Sequence, residues 1–187
     1  MHVRSLVLLA AFLLPLPMMA DTTYTYTGND FVFATPPYNP SDSITGWFTV
    51  ATALPDNLND AGGLYDITSQ VTAFSLSDGV QTIDNANASF SQFGVVTDGN
   101  GDLFAWVFGA KVASGTGATT GLVESEGVAG GMGNDVADLN SSEAFNATPG
   151  TWAESSSSLT PEPSNFLLLL TGLASMAGIA RRKLSRS

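Results

Sequence analysis

The sequence predicts an all-β domain, an antiparallel sandwich or jelly-roll-like fold, set between an apolar segment at each end of the chain. Three observations carry this. Several short runs alternate polar and apolar residues with period two, the pattern of a half-buried strand. Clusters of Gly, Asp, Asn and Pro separate those runs and turn the chain. Between the terminal segments no long stretch repeats its apolar residues at helical spacing.

The elements follow in chain order. Residues 22–27 alternate threonine with Tyr24 and Tyr26, side chains that favour a sheet, and predict the first strand. Gly28, Asn29 and Asp30 turn, residues 31–33 resume, and Pro36, Pro37 and Pro40 mark a loop. Residues 43–50, with Ile44, Trp47, Phe48 and Val50, predict another strand in which Gly46 is a candidate bulge. Residues 55–60 form a polar turn. Residues 71–77 alternate, Asp78-Gly79 follows and 80–83 resume, which predicts a hairpin.

Residues 88–97 add strand character. Residues 103–112 are apolar on both faces and predict a central strand buried on both sides. A further strand is expected over 118–123, a flexible Gly-rich stretch over 124–133, and an edge strand over 147–152. The domain is therefore set at 21–152, with serine-rich 153–160 as a flexible linker.

Composition excludes several chemistries. Sixteen acids lie between Asp21 and Glu154 against Lys111 alone, a net charge of −15 for the body. Such a surface repels phosphate backbones, so nucleic acid is not an expected partner. There is no cysteine, and the one histidine, His2, lies at the extreme N-terminus. The body thus lacks His, Cys and Arg. It has no Ser-His-Asp or Cys-His nucleophile, no His/Cys zinc site and no arginine clamp.

The ends carry transport signals. Arg4, an apolar run over 6–14, Pro15, Pro17 and Ala20 describe a secretory signal peptide over 1–20, cut after Ala20. At the other end Pro161-Glu162-Pro163 precedes residues 166–180, which hold no charge. With Ser164 and Asn165 the run reaches the lower edge of the ~17–25 residues that span a bilayer as a helix. Arg181, Arg182 and Lys183 then stop translocation and hold the tail in the cytoplasm. The expectation is one transmembrane helix over 164–180 that meets the lipid bilayer.

In that order, Pro161-Glu162-Pro163, the apolar run and the basic tail resemble the PEP-CTERM sorting signal over 161–187. The resemblance implies an exported protein recognised by an exosortase, a membrane-embedded transpeptidase-like protease, and cut near the tripeptide. The protein would be held in the inner membrane first and reach the cell surface or exopolysaccharide matrix afterwards. A GPI signal is the competing layout, but its tail ends apolar rather than basic. Residues 26–31, 43–49 and 74–83 also resemble a module recurrent in PEP-CTERM proteins, from which no activity carries over.

Within the body, Asp98, Asn100 and Asp102 place oxygens at alternate positions, as calcium loops do. The EF-hand glutamate would fall at Gly109, so Ca²⁺ is the only candidate cofactor and a hairpin turn is the preferred reading. Glu124 with Glu126, or Asp135 with Asp138, are candidate glycosidase pairs that sixteen acids supply by chance. The glycine-rich 127–133 lacks the Gly-Lys ending of a phosphate loop. Trp47, Trp106 and Trp152 could stack on sugar rings, but core packing is the preferred reading of all three; Trp152, nearest the polar linker, is expected to be the most exposed and is the candidate sugar-binding residue. The reading is a non-catalytic surface or matrix protein, with exosortase and exopolysaccharide as partners. The alternatives are a carbohydrate-binding module or a carboxylate-dependent glycosidase.

Overall fold

The computed structural model describes residues 21–113 and 119–156, together with Gly172. The expected signal peptide, the tripeptide Pro161, Glu162 and Pro163, the apolar run 164–180 (Gly172 apart) and the cations Arg181, Arg182 and Lys183 lie outside the described residues. The chain divides into two compact units, and the β domain is the unit spanning Met19–Ser157.

Its strands are β1 Thr22–Thr27, β2 Phe33–Ala34, β3 Thr45–Val50, β4 Tyr65–Asp66, β5 Val71–Ser77 and β6 Thr82–Asp84. They continue with β7 Phe90–Thr97, β8 Leu103–Ala113, β9 Thr119–Val128, β10 Gly133–Leu139, β11 Ser142–Asn146 and β12 Thr151–Ser156. One sheet has the order β12-β1-β3-β5-β6 and the other β2-β11-β10-β9-β8-β7-β4, and every pairing is antiparallel. In the second sheet β7 to β11 run as a meander. A single turn of 3-10 helix, Thr68–Gln70, is the one helical element among the described residues of this unit.

Alternation decides which side chains go inside. Tyr24 and Tyr26 of β1, Phe48 and Val50 of β3, and Phe74 and Leu76 of β5 are buried from one sheet. Phe93 and Val95 of β7, Trp106 and Phe108 of β8, Val123 of β9 and Ala137 of β10 are buried from the other. Rings from the two sheets meet: Tyr26 lies 5.0 Å from Phe108, Phe48 5.4 Å from Phe93 and Phe74 5.3 Å from Phe93, centroid to centroid. The sheets thus pack face to face around one aromatic core, as a sandwich does.

The hairpin around Asp78-Gly79 forms, with Leu76 opposite Ile83 and Ser77 opposite Thr82. Its loop is four residues, 78–81, and Gly79 supplies the left-handed backbone at φ 90°.

Several expectations are corrected. Gly46 is not a bulge; the register shift in β3 falls between Thr49 and Val50. Gly46 instead lets β5 pack closely, since a Cβ there would lie 2.7 Å from Cδ2 of Leu76. Residues 124–133 are not a loose stretch but the second half of β9, the turn and the first residue of β10, where Gly127 makes room for the Trp106 ring and Pro149. β8 is an interior strand of its sheet and the longest among the described residues, yet it buries rings only on its inner face, at Trp106 and Phe108. Val107, on the outer face, is half-buried. Finally, β12 continues to Ser156, with Ser156 opposite Thr22, so residues 153–156 belong to the sheet and not to the linker. Its backbone pairs with β1 although Ala153, Glu154, Ser155 and Ser156 stay exposed, as an edge strand allows.

Candidate functional site: a two-carboxylate cleft at one rim of the sandwich

β12 is the edge of its sheet, and its register with β1 sets the site. Glu154 stands opposite Tyr24 and Trp152 opposite Tyr26. Residues paired this way share a face, so Trp152 and Glu154 turn inward with the two buried tyrosines. Across from them, the loop before β8 delivers Asp102. That loop is tied by the Asp98 amide donating to Asp102 O at 2.9 Å, while Asp98 Oδ1 accepts from the amides of Asn100 at 2.8 Å and Asp102 at 3.1 Å.

Between these elements lies a cleft of about 370 Å³, lined chiefly by Tyr24, Asp102, Trp106, Thr151, Trp152 and Glu154. Tyr24 is buried, and its hydroxyl oxygen accepts from the Leu54 amide at 2.9 Å. Burial pushes the Tyr24 phenol up, against the pull of the Leu54 amide, and the charges of Glu154 and Asp102 push it further. Both carboxylates therefore act electrostatically on the phenol of one cleft-lining residue.

Trp152 is not the exposed ring expected from its place near the chain end. It sits edge-on to Phe48 at 5.5 Å and Phe108 at 5.2 Å and lies 5.1 Å from Tyr26. Its Nε1 is buried and has no hydrogen-bond partner among the described residues. The pairing with inward-facing Tyr26 is the reason. Trp47, on the opposite face of β3, is the tryptophan in solvent at 38% exposure.

Deeper in the sandwich, Asp135 of β10 is fully enclosed, at 0% exposure. The Tyr26 hydroxyl donates to its Oδ1 at 2.8 Å and itself accepts from the Gly150 amide at 2.7 Å. Ser125, opposite Asp135 in the β9–β10 register, also bonds to the carboxyl and accepts from Trp106 Nε1 at 3.0 Å. Desolvation pushes the Asp135 carboxyl up to about 6, against the Ser125 and Tyr26 hydrogen bonds. Oδ2 has no partner among the described residues.

No family model, curated protein or solved structure matches the chain.

The remaining candidates sort by face. Asp135 and Asp138 alternate along β10 and point to opposite sides, so they do not converge as a pair. Glu124 and Glu126 flank buried Ser125 and stand on the outer face of β9. Among the described residues no three His, Cys, Asp or Glu side chains gather as a metal group. Asp98, first of the three candidate calcium ligands, turns one carboxylate oxygen onto its own loop. Asp102 and Trp152, singled out in the sequence for unrelated reasons, meet in one cleft. Glu154 was missed, and the inward alternation of 152 and 154 is the signal that would have found it.

Proposed function

We propose that this chain is an exported, exosortase-sorted protein of the cell surface or exopolysaccharide matrix, and that its β domain is non-catalytic. The observation that carries the reading is the order of parts in the sequence. A signal-peptide-like start precedes one acidic domain, and Pro161-Glu162-Pro163, an apolar run and three cations come after it. The finer fold belongs to the same reading: a signal peptide over 1–20, a jelly-roll-like body and a single transmembrane helix over 164–180. A body with no His, Cys or Arg favours a binding or structural role over catalysis.

The test is the intact mass of protein recovered from the cell surface, with its C-terminal peptide sequenced. The expected species begins near Asp21 and ends close to the tripeptide. A surface species still ending in Ser187 overturns the sorting step. Replacing Glu162 is expected to leave the full-length form in the inner membrane.

A second reading, carbohydrate binding by the domain, is favoured by the cleft. Its polar rim, partly open indole and two carboxylates supply the mixed surface a sugar ring needs.

A further inference from the structure

The cleft at the rim has an uneven chemistry. Its lining includes two carboxylates, Asp102 and Glu154, and no cation. The one base of the body, Lys111, lies 5.8 Å from the Phe90 ring, engaged with a residue outside the cleft. Both acids bear on Tyr24. The Tyr24 oxygen accepts from the Leu54 amide and its side chain is enclosed, so the phenol serves as a fixed wall of the cleft. One wall is the Trp152 ring. At about 370 Å³ the cleft falls in the ~300–1,000 Å³ range of small-ligand sites.

These features select a ligand. Two uncompensated carboxylates repel an anion, so uronic acids are refused. They accept strongly from an ammonium group, which an indole face also attracts. The apolar wall beside exposed Thr151 suits a ring with one apolar face and a rim of hydroxyls. The geometry points to an amine-bearing saccharide, a hexosamine unit of a glycan with its nitrogen free, seated between Asp102 and Glu154 against Trp152. This deepens the carbohydrate reading above and rests on it for access to glycans.

A structural role competes for Glu154. An inward-pointing charge on an edge strand deters pairing with a second chain, and such a residue would guard β12 without binding anything. The two roles separate by experiment.

The full-length chain in detergent micelles is titrated calorimetrically with a tetramer of glucosamine, a tetramer of N-acetylglucosamine and tetragalacturonate. The expected result is binding of the glucosamine tetramer, weaker by about tenfold or more when the nitrogens are acetylated, and no heat with galacturonate. Glu154→Gln and Asp102→Asn each lower affinity for the amine form by about tenfold and leave the melting temperature and the oligomeric state unchanged. Equal affinity for the acetylated tetramer overturns the inference. So does full affinity in Glu154→Gln, or the absence of binding by any oligomer in a folded chain. If Glu154→Gln instead produces dimers at unchanged affinity, the edge-guard role stands alone. The titration uses unprocessed chain, so its outcome is independent of whether the surface form has lost Ser187.

Discussion

The phenol of Tyr26 and the carboxyl of Asp135 are 109 residues apart in the chain and 2.8 Å apart in the interior. The bond joins β1 of one sheet to β10 of the other through a core of aromatic and aliphatic side chains. Burial raises the Asp135 carboxyl against this bond, so the fold's stability depends on whether Asp135 holds its proton.

The sign comes from the raised value. Asp135 holds its proton to about pH 6 when folded, against an ordinary 3.8. The folded state therefore binds this proton more tightly than the unfolded state. The stabilisation is fully present below pH 3.8 and is lost as pH rises through about 6. The loss amounts to about 3 kcal/mol. Urea denaturation of wild type and Asp135→Asn at pH 4 and pH 7.5 checks this. The wild-type advantage over the variant is expected to shrink by that amount at the higher pH, and a constant difference refutes it.

Tyr26→Phe keeps the ring among Trp106, Phe108 and Trp152 but removes the hydroxyl. It leaves Asp135 Oδ1 and the Gly150 amide without this partner. A loss of about 1–3 kcal/mol in denaturant unfolding is expected, with the pH midpoint of the Asp135 effect moved upward because a bond to the charged form is gone.

The two tryptophans on opposite faces of the first sheet are predicted to behave differently. Trp152→Ala opens a hole beside Phe48 and Phe108 and is expected to cost about 3 kcal/mol. Trp47→Ala, on the solvent face, is expected to cost less than about 1 kcal/mol. Thermal unfolding of the two variants ranks them, and equal losses would mean that Trp152 does not pack as described.

Gly127→Ala places a methyl group 2.7 Å from Cζ2 of Trp106 and 2.9 Å from Cβ of Pro149. Overpacking of this kind costs about 1–3 kcal/mol. A lowered melting temperature with altered tryptophan fluorescence is expected, and an unchanged one would contradict the tight hairpin.

What was legible in the sequence was what side-chain type alone decides. β1 and β5 stand out because threonine and tyrosine, or serine and leucine, alternate on a pleated strand. β10 and β11 did not, because their inward positions are Asp135, Ala137, Ala144 and Asn146 rather than large apolar residues. Asp135 goes inside only because Tyr26 and Ser125 await it there, and sequence spacing does not reveal that. The turn between those strands is carried by Asn140 and Ser141 at positive φ, 61° and 136°. The cleft was visible only in pieces. The β1–β12 register turns Trp152 and Glu154 inward, and the packing of the second sheet brings Asp102 to them, a tertiary fact.

That register has a mechanical consequence. Six paired positions run from Thr22–Ser156 to Thr27–Thr151, with the chain leaving the sheet at Ser156 beside the point where β1 begins. Tension applied through Ser156 loads the ladder at one end, as an opening zipper, and does not shear all its rungs together. The first four positions to part, 156 back to 153, carry exposed side chains; the fifth is Trp152, wedged among Tyr26, Phe48 and Phe108. The indole is thus a latch, where peeling halts before the strain reaches the core.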